Sequence, residues 1–383
     1  MPDKAACRSP VNRLAPALAP MLAALLPLAL AGCGAAAPVP QDAPAPRVAA
    51  ENPALAAAAD RLFDGSVPGE TRALLVLRNG EPVFERYGKG YGPDMPLIGW
   101  SMTKSVTAML AGLMIADGRL ALERPAPVPE WRTPGDPRGR ITLAHLLHME
   151  AGLAHEEVAR EGVPVFDADT PKMLFLDGAD DMARYAENRP LEAAPGAAHE
   201  YSTATSVIIA DVLTDALTAS PDPKARRAAM QAYLGGRLLD PLGIGSATAE
   251  YDRAGTFSGG SLLYMTARDW AKLGELMRNG GSVRGAQVLP RHWVQWMRTP
   301  SLLDPAYGGH VWLNRSRDDG RDAPLFPDRA EPSVFAFIGH LGQYVIVAPE
   351  RGLTVVRLGQ TDDAHRDALV DALAGVVTAV PKR

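Results

Sequence analysis

The chain has few of the residues that would cross-link it or hold a metal. Its 383 residues include two cysteines, Cys7 and Cys33, and eight histidines. Two cysteines cannot form a disulfide framework, so the fold must be stabilised by a buried core. Aromatic residues make up only 6% of the chain, and basic residues nowhere alternate with them in a tract. This composition and a formal net charge of −5 argue against nucleic-acid binding.

The sequence also lacks a hydrophobic run typical of a membrane-spanning helix. The apolar stretch 14–31 follows three basic residues, Lys4, Arg8 and Arg13, and is interrupted by three prolines. A spanning helix would be longer and poorer in proline, whereas a basic start followed by an apolar run is typical of a secretory signal. We therefore assign residues 1–32 to a signal peptide.

The signal ends in Leu30-Ala31-Gly32-Cys33, which resembles the lipobox of bacterial lipoproteins. The resemblance implies that Cys33 becomes the lipidated first residue and attaches the protein to the cell envelope, facing the periplasm. The alternative is an ordinary cleavage site with an incidental cysteine. Gly34, rather than aspartate, favours the outer membrane if the host is Gram-negative. Residues 33–53 are rich in alanine and proline and predict a flexible tether.

One short motif carries possible chemistry. Ser101 and Lys104 form an S-x-x-K motif at the start of a predicted helix. Residues three apart share one helix face, so the lysine can reach the serine hydroxyl. A serine needs a neighbouring base to become a nucleophile, and a lysine buried against apolar groups can lose its proton and act as that base. The motif alone is weak, because a surface serine and lysine can open any amphipathic helix.

Residues 54–383 predict one domain with an α+β fold. Asn79-Gly80 is a strong hairpin signal between two early strands, and the middle of the chain is mostly helical. We expect an antiparallel sheet assembled from both ends of the chain and flanked by helices, with a helical lobe inserted at about residues 119–255. The predicted strands are 73–78, 82–87, 310–314, 334–338, 344–348 and 353–358, and a closing helix is predicted over 362–377.

Five segments occur in a characteristic order: Trp100–Ser105, Leu146–Leu153, Pro195-Gly196 followed by Tyr201-Ser202-Thr203, Thr266–Trp270, and Gly339–Tyr344. In this order they resemble the serine β-lactamase and penicillin-binding superfamily over roughly residues 60–375. The similarity is strongest to the branch of class C β-lactamases, family VIII esterases and 6-aminohexanoate-dimer hydrolases. The resemblance implies a β-lactamase/transpeptidase-like fold.

The resemblance also implies roles for single residues. Ser101 would be the acylated nucleophile, Lys104 its proton partner and Tyr201 a general base and acid. The backbone N–H groups of Ser101 and Gln343 would form the oxyanion hole. Thr203, His340 and Gly342 would contact the substrate.

Two of these positions depart from the family pattern. Thr203 replaces the asparagine of Tyr-x-Asn, so one hydroxyl stands in for an amide donor and acceptor pair. His340-Leu341-Gly342 replaces Lys-Thr-Gly. The lysine of that motif meets the carboxylate of β-lactams and of D-Ala-D-Ala peptides, and histidine is common there in the esterases and aminohexanoate hydrolases. The alternative for His340 is a residue that only packs at a strand end.

Other motifs are less informative. His145 and His148 lack a third ligand and an H-E-x-x-H pattern, so we predict no metal and no cofactor. Gly99-x-Ser101-x-Thr103 lacks the last glycine of a nucleophile elbow. We expect Trp293, Trp296 and Trp312 to pack in the core rather than to bind ligand. Met173-Leu174-Phe175 lies in a polar insert, from which it is a candidate to line the substrate cleft.

The sequence thus predicts an exported, lipid-anchored serine hydrolase that cleaves esters or small amides through an acyl-enzyme on Ser101. Its partners would be a small-molecule substrate and the membrane. Two alternatives stay open: a β-lactamase or DD-peptidase, and a catalytically silent lipoprotein that binds envelope components.

Overall fold

The computed structural model describes residues 47–48, 52–317 and 320–382. The predicted signal peptide, Cys33 and most of the tether lie outside these residues. Within the predicted tether, Arg47–Val48 forms a two-residue strand that pairs with Glu85 and Phe84. The difference from a featureless tether arises because the partner strand has a free edge, which can pair with any extended segment.

A seven-stranded antiparallel sheet forms the centre of the fold. Its strands are β1 (Arg47–Val48), β2 (Glu70–Arg78), β3 (Glu81–Tyr87), β9 (Trp312–Leu313), β10 (Phe335–Gly339), β11 (Gln343–Ala348) and β12 (Leu353–Gln360). They are arranged in the order β1-β3-β2-β12-β11-β10-β9, so the first and last thirds of the chain meet at the β2–β12 pair. The predicted sheet from both ends of the chain is confirmed.

The α-helices pack on both faces of this sheet or form the lobe beside it. They are α1 (Pro53–Asp60), α2 (Met102–Ala116), α3 (Leu143–Leu147), α4 (Asp169–Phe175), α5 (Met182–Glu187), α6 (Thr203–Leu217), α7 (Pro223–Leu234), α8 (Asp240–Leu242), α9 (Ala267–Arg278), α10 (Arg291–Met297) and α11 (Arg366–Thr378). None of the helices in the described residues is long and apolar enough to cross a membrane.

Side chains of the central strands alternate between two cores, as the two-residue period of a strand requires. In β2, Leu74 and Val76 join a core with α1 and α11, whereas Leu75 and Leu77 join a core with α2 and α9. Helix α2 is buried from Met102 to Met114 because it is apolar on every face and lies between the sheet and the lobe. The sheet and the lobe therefore hold α2 from both sides.

A small three-stranded sheet, missed by the sequence analysis, connects the lobe to the segment before α2. Its strands are β4 (Leu97–Ile98), β5 (Thr248–Ala249) and β6 (Leu263–Met265), in the order β4-β6-β5. A separate two-stranded hairpin consists of β7 (Ser282–Val283) and β8 (Ala286–Gln287). Strands of two or three residues are too short to show a periodic pattern. Gly99, just after β4, donates its N–H to the Leu263 carbonyl at 2.9 Å and so fixes the start of the turn that carries Ser101.

The helices show how the histidines, the tryptophans and the 173–175 segment noted in the sequence are packed. His145 completes a capping box with Thr142, and His148 stacks on Trp296 with ring centroids 4.6 Å apart. Trp293 is buried and donates its indole N–H to the Ala108 carbonyl at 2.9 Å. Helix α4 contains Met173-Leu174-Phe175. Its Met173 and Leu174 are buried in the lobe and Phe175 is exposed, so this segment does not line the cleft described below.

Candidate active site

Ser101 lies at a tight turn between β4 and α2. Trp100 has a φ of +47°, in the left-handed region that a bulky side chain rarely adopts. Gly99 cannot be larger, because a Cβ there would lie 2.1 Å from the Trp270 ring. Ser101 is the N-cap residue of α2, yet its side chain makes no capping hydrogen bond. The turn therefore presents the Ser101 hydroxyl at a helix N-terminus without using it to stabilise the helix, a strained arrangement common at functional sites.

Lys104 lies one helical turn later and is 1% exposed. Its Nζ lies 3.0 Å from Ser101 Oγ, 2.8 Å from Thr203 Oγ1 and 2.9 Å from the Gly260 carbonyl oxygen. Burial lowers the pKa of Lys104 to about 8, although the nearby Glu157 charge opposes that shift. A substantial fraction of the amine is thus neutral near pH 7.5, as a base for Ser101 must be.

Tyr201 lies two residues before α6 and completes the predicted trio. Its ring lies 4.9 Å from Lys104 Nζ and stacks on Trp312 at 5.2 Å between centroids. Burial and the Glu157 charge raise the pKa of Tyr201 above its ordinary value, and a hydrogen bond with Ser101 opposes the rise only in part. The phenol is therefore neutral at physiological pH, and Lys104 is the better proton acceptor of the two.

Glu157, which the sequence analysis missed, lies behind Thr203. Its carboxylate accepts hydrogen bonds from the Thr203 N–H at 2.6 Å, the Thr203 hydroxyl at 2.5 Å and the Thr170 hydroxyl at 2.8 Å. Burial alone would raise its pKa, but Lys104, His155 and Thr203 together lower the pKa to about 2. Glu157 is therefore a stable anion one hydroxyl group away from Lys104.

The β10–β11 hairpin forms the opposite wall of the site. Gly339 pairs with Gln343, so His340, Leu341 and Gly342 make the turn, with positive φ at Leu341 and Gly342. His340 is exposed, and its ring packs edge-on against Trp100 at 5.7 Å. Gly342 must be glycine, since a Cβ there would lie 2.5 Å from Leu369 Cδ2. The predicted substrate contacts His340 and Gly342 both line the cleft with Ser101.

Gln343 has a different place. It is 2% exposed, does not line the cleft, and its side-chain amide donates to the carbonyl oxygens of His340 at 3.0 Å and Gly359 at 2.7 Å. One residue before β10, the Val334 carbonyl accepts from the N–H of Asn314, which follows β9, at 3.0 Å. Residues two apart on a strand point their backbone N–H and C=O groups to the same edge, so the His340 N–H, like the Val334 carbonyl, points away from β11. Gln343 lies on β11 itself and pairs with Gly339. The geometry therefore favours His340 over Gln343 as a backbone donor.

The cleft has a volume of about 390 Å³ and mostly apolar walls. Its lining includes Ser101, Glu157, Val158, Tyr201, Trp312, Ile338, His340, Gly342, Tyr344, Asp363, Arg366 and Leu369. Trp312, predicted to be a core residue, is instead half-buried in this wall because it stacks on Tyr201. The cleft therefore suits a small, largely apolar group next to Ser101.

A larger cavity of about 630 Å³ lies in the lobe, but its lining includes no serine, cysteine or lysine. Its acidic residues include Glu187, Asp211 and Asp215. In the described ranges no group of three or more histidine, cysteine, aspartate or glutamate side chains is placed to hold a metal ion. The cleft at Ser101 is thus the candidate site for chemistry.

Comparison with known proteins agrees with this geometry. The β-lactamase family model matches residues 56–379. A 6-aminohexanoate-dimer hydrolase from Paenarthrobacter ureafaciens is 27% identical over 232 residues, which cover 59% of this chain and 56% of that protein. The match thus spans little more than half the length of the curated relative.

Solved structures share the fold at low sequence identity. EstCE1, a hydrolase with promiscuous acyltransferase activity, superposes with a TM-score of 0.61 at 16% identity and covers 85% of this chain and 98% of its own. A family VIII carboxylesterase gives a TM-score of 0.56 at 16% identity, covering 85% and 97%. The predicted α+β, β-lactamase-like fold is therefore confirmed. With a family model matched over most of its length, the chain belongs to the β-lactamase family of serine hydrolases.

Proposed function

We propose that this protein is an exported, lipid-anchored hydrolase that cleaves esters or small amides through an acyl-enzyme on Ser101. The observation that carries the proposal is the 3.0 Å contact between Ser101 Oγ and a fully buried lysine whose pKa is lowered to about 8. The relatives named hydrolase and carboxylesterase support the choice of substrate class.

In the acylation step, neutral Lys104 accepts the Ser101 proton as Oγ attacks the substrate carbonyl. The other two contacts of Nζ, with Thr203 Oγ1 and the Gly260 carbonyl, remain donor bonds in both protonation states. Only the bond to Ser101 reverses its direction. The side chain therefore needs no movement during proton transfer, which keeps the reorganisation cost low.

The oxyanion that forms next would be held between two backbone N–H groups. Ser101, at the N-terminus of α2, supplies the first, as predicted. In our proposal His340 supplies the second instead of Gln343, because of the strand register described above. Each such donor contributes roughly 10²–10³ in kcat.

Tyr201 completes the cycle as a relay. It donates the phenol proton to the leaving group and regains one from Lys104, which returns to its neutral form. In deacylation, Tyr201 passes a proton from the attacking water to Lys104, and Lys104 returns a proton to Ser101 Oγ as the bond to the acyl group breaks. Neutral Lys104 and the free hydroxyl are thereby restored. Tyr201 acts as a relay and Lys104 as the base because burial raises the pKa of the Tyr201 phenol, which disfavours a free phenolate.

The cleft favours an ester over a β-lactam because it offers no free cation beside Ser101 among its lining residues. Arg366 lines the far end, but its guanidinium donates to the carbonyl oxygens of Ala323 at 3.3 Å and Pro324 at 2.7 Å. His340 stands where the β-lactam-binding relatives carry lysine. An ester carries no carboxylate beside its scissile bond, so an ester substrate needs no fixed cation at this position.

The His340→Lys variant tests this substrate preference. We expect it to lower kcat/KM for p-nitrophenyl butyrate and to raise it slightly for nitrocefin, because a cation at the turn attracts a carboxylate but serves no purpose for an ester. The backbone N–H is retained in the variant. The signs of the two changes are decisive, since general damage to the fold would lower both rates. If wild type hydrolyses nitrocefin faster than the ester, the β-lactamase alternative becomes the better one.

Export and lipid attachment rest on the sequence alone, since Cys33 lies outside the described residues. We expect Cys33→Ser to abolish incorporation of radiolabelled palmitate and to release the protein from the membrane fraction. Cys7→Ser is the matched control, because Cys7 lies in the predicted signal and should leave labelling unchanged. Equal labelling of the Cys33→Ser variant and wild type, or labelling of neither, would show that the lipobox interpretation is wrong.

A catalytically silent binding protein is the remaining alternative. A fluorophosphonate probe distinguishes it directly, because only an activated serine reacts covalently. Labelling mapped to Ser101, together with turnover in a panel of p-nitrophenyl esters, aminohexanoate oligomers and nitrocefin, would support the hydrolase. Absence of both labelling and turnover would support the catalytically silent binding protein.

A further inference from the structure

Behind Lys104 lies Glu157, which belongs to none of the five segments that carry the family resemblance. A chain of hydrogen bonds runs from the nucleophile into the lobe. Lys104 Nζ contacts Ser101 Oγ at 3.0 Å and Thr203 Oγ1 at 2.8 Å, and the Thr203 hydroxyl donates to Glu157 at 2.5 Å. Glu157 is thus joined to the nucleophile through two intermediate side chains.

The directions of these bonds are mutually consistent. A hydroxyl has a single proton, so a Thr203 hydroxyl that donates to Glu157 must accept from Lys104. Lys104 then keeps one N–H on Thr203 and one on Gly260 whether or not it holds the Ser101 proton. The third position on Nζ is left for Ser101. The carboxylate of Glu157 therefore fixes the orientation of the whole chain of bonds.

The same arrangement accounts for the departure from Tyr-x-Asn. An asparagine at position 203 would offer an acceptor and a donor on one amide. Here the threonine hydroxyl accepts from Lys104, and the Thr203 side chain and backbone N–H both donate to Glu157. The Thr203 hydroxyl and the Glu157 carboxylate, which come from two different segments, thus replace the single amide of the asparagine. The carboxylate also adds a full negative charge.

Glu157 is held firmly enough to act in this way. Thr170 donates to its carboxylate at 2.8 Å, and the preceding residue, Glu156, is fixed by its N–H bond to Asp169 at 2.9 Å. Asp169 is in turn bound by Arg189 at 2.7 Å and by the Tyr185 hydroxyl at 2.8 Å. The side chain of Glu157 is 21% exposed, so water does not screen it fully.

We propose that Glu157 is a positioning residue that, through Thr203, holds Lys104 in line with Ser101 and sets the pH range in which Lys104 accepts the serine proton. The inference rests on the proposed acyl-enzyme mechanism. The carboxylate stabilises the Lys104 ammonium and therefore opposes the effect of burial. Without that charge, Lys104 loses its proton at a lower pH.

The other ionisable groups around this chain of bonds are few. His155, on the same loop, lies 3.4 Å from Glu157, and Tyr201, Tyr307 and His310 face Glu157 or Lys104 from neighbouring segments. Burial raises the pKa of both tyrosines and lowers the pKa of His310 to about 3, so these three are neutral between pH 5 and about 9. Glu157 is thus the anion that acts on Lys104 in this range.

The test is the pH dependence of kcat/KM for a p-nitrophenyl ester in Glu157→Gln. We expect the acid limb to move to lower pH by roughly one unit, because the removed charge no longer favours the ammonium. Glu156→Gln is the matched control: it is the adjacent residue, its carboxylate pairs with Arg160 at 2.6 Å, and its profile should equal that of wild type. Glu157→Asp keeps the charge and should keep the acid limb near the wild-type position.

Thr203→Val provides a second variant that does not depend on the stability of the first. It removes the bridging hydroxyl and should lower kcat while leaving KM nearly unchanged, and Thr203→Ser should restore the rate. A folded, active Glu157→Gln enzyme with an unmoved or upward-shifted acid limb would overturn the inference. If fluorophosphonate still labels Ser101 in that enzyme, the proposed function stands and only the role of Glu157 fails.

Discussion

Replacing Ser101 by alanine is expected to remove covalent fluorophosphonate labelling and to lower ester turnover on the order of 10³-fold or more. The effect is large because nucleophile, base and oxyanion donors act as one unit, and the others cannot form an acyl-enzyme without the hydroxyl. The fold should be unaffected, since the Ser101 hydroxyl makes no capping bond to α2. Thermal unfolding followed by circular dichroism should give the wild-type transition temperature.

The matched control for this variant is Ser66→Ala, an exposed serine far from α2 in the sequence. It should be labelled and should turn over ester as wild type does. Wild-type labelling of the Ser101→Ala variant would place the nucleophile elsewhere. Loss of activity together with a lower unfolding temperature would instead show that the hydroxyl serves the fold.

The second large effect is expected at Arg357, a fully buried arginine on β12. Its guanidinium donates to the carbonyl oxygens of Gly342 at 2.8 Å and Glu70 at 2.9 Å and to the hydroxyls of Thr361 at 2.8 Å and Thr71 at 3.2 Å. Burial lowers its pKa only to about 10, so it stays charged at pH 7. It thereby joins the turn at Gly342 to the start of β2.

Arg357→Met keeps most of the apolar stem but leaves several buried acceptors without a donor. Each such group costs about 1–3 kcal/mol, so we expect the free energy of unfolding to fall by about 3 kcal/mol or more in urea titrations. The rate with ester substrate should fall as well, because the turn that presents the His340 N–H loses its support.

Arg72→Met is the control for this prediction. Arg72 lies nearby, and its bond to Glu70 at 2.7 Å is partly exposed to solvent, so its loss should cost less than about 1 kcal/mol. Equal unfolding midpoints for the two variants would contradict the structural role assigned to Arg357.

The features that could be predicted from sequence are those encoded by neighbouring residues. The hairpin at Asn79-Gly80 forms because both residues adopt positive φ, which these two types tolerate best. The approach of Lys104 to Ser101 follows from their spacing on α2. Thr266 caps α9 by accepting the Asp269 N–H at 3.2 Å, and Asp269 directs its carboxylate to Ser246 and Lys272.

The rest of the site depends on distant segments and carried no local signal. Glu157 is one of several acidic residues in a polar stretch, and only the fold brings it to Thr203. Gly260 contributes a backbone carbonyl, which any residue possesses. The family resemblance implies Gln343 as the second oxyanion donor, whereas our proposal uses the His340 N–H because Gln343 pairs with Gly339 in the β10–β11 ladder. Trp312, expected in the core, stacks on Tyr201 and lines the cleft instead.

The pairing of β2 with β12 limits how early in folding the central sheet can form. Residues 70–78 find their partners at 353–360, so the central ladder cannot close until nearly all of the chain is available. Contacts this distant in sequence slow folding, because a long loop must be ordered before they form. We expect ester hydrolysis to emerge late and all at once during refolding, after the lobe helices have formed. Chains shortened before residue 353 should be degraded, since their nucleophile helix would lack the sheet that covers it.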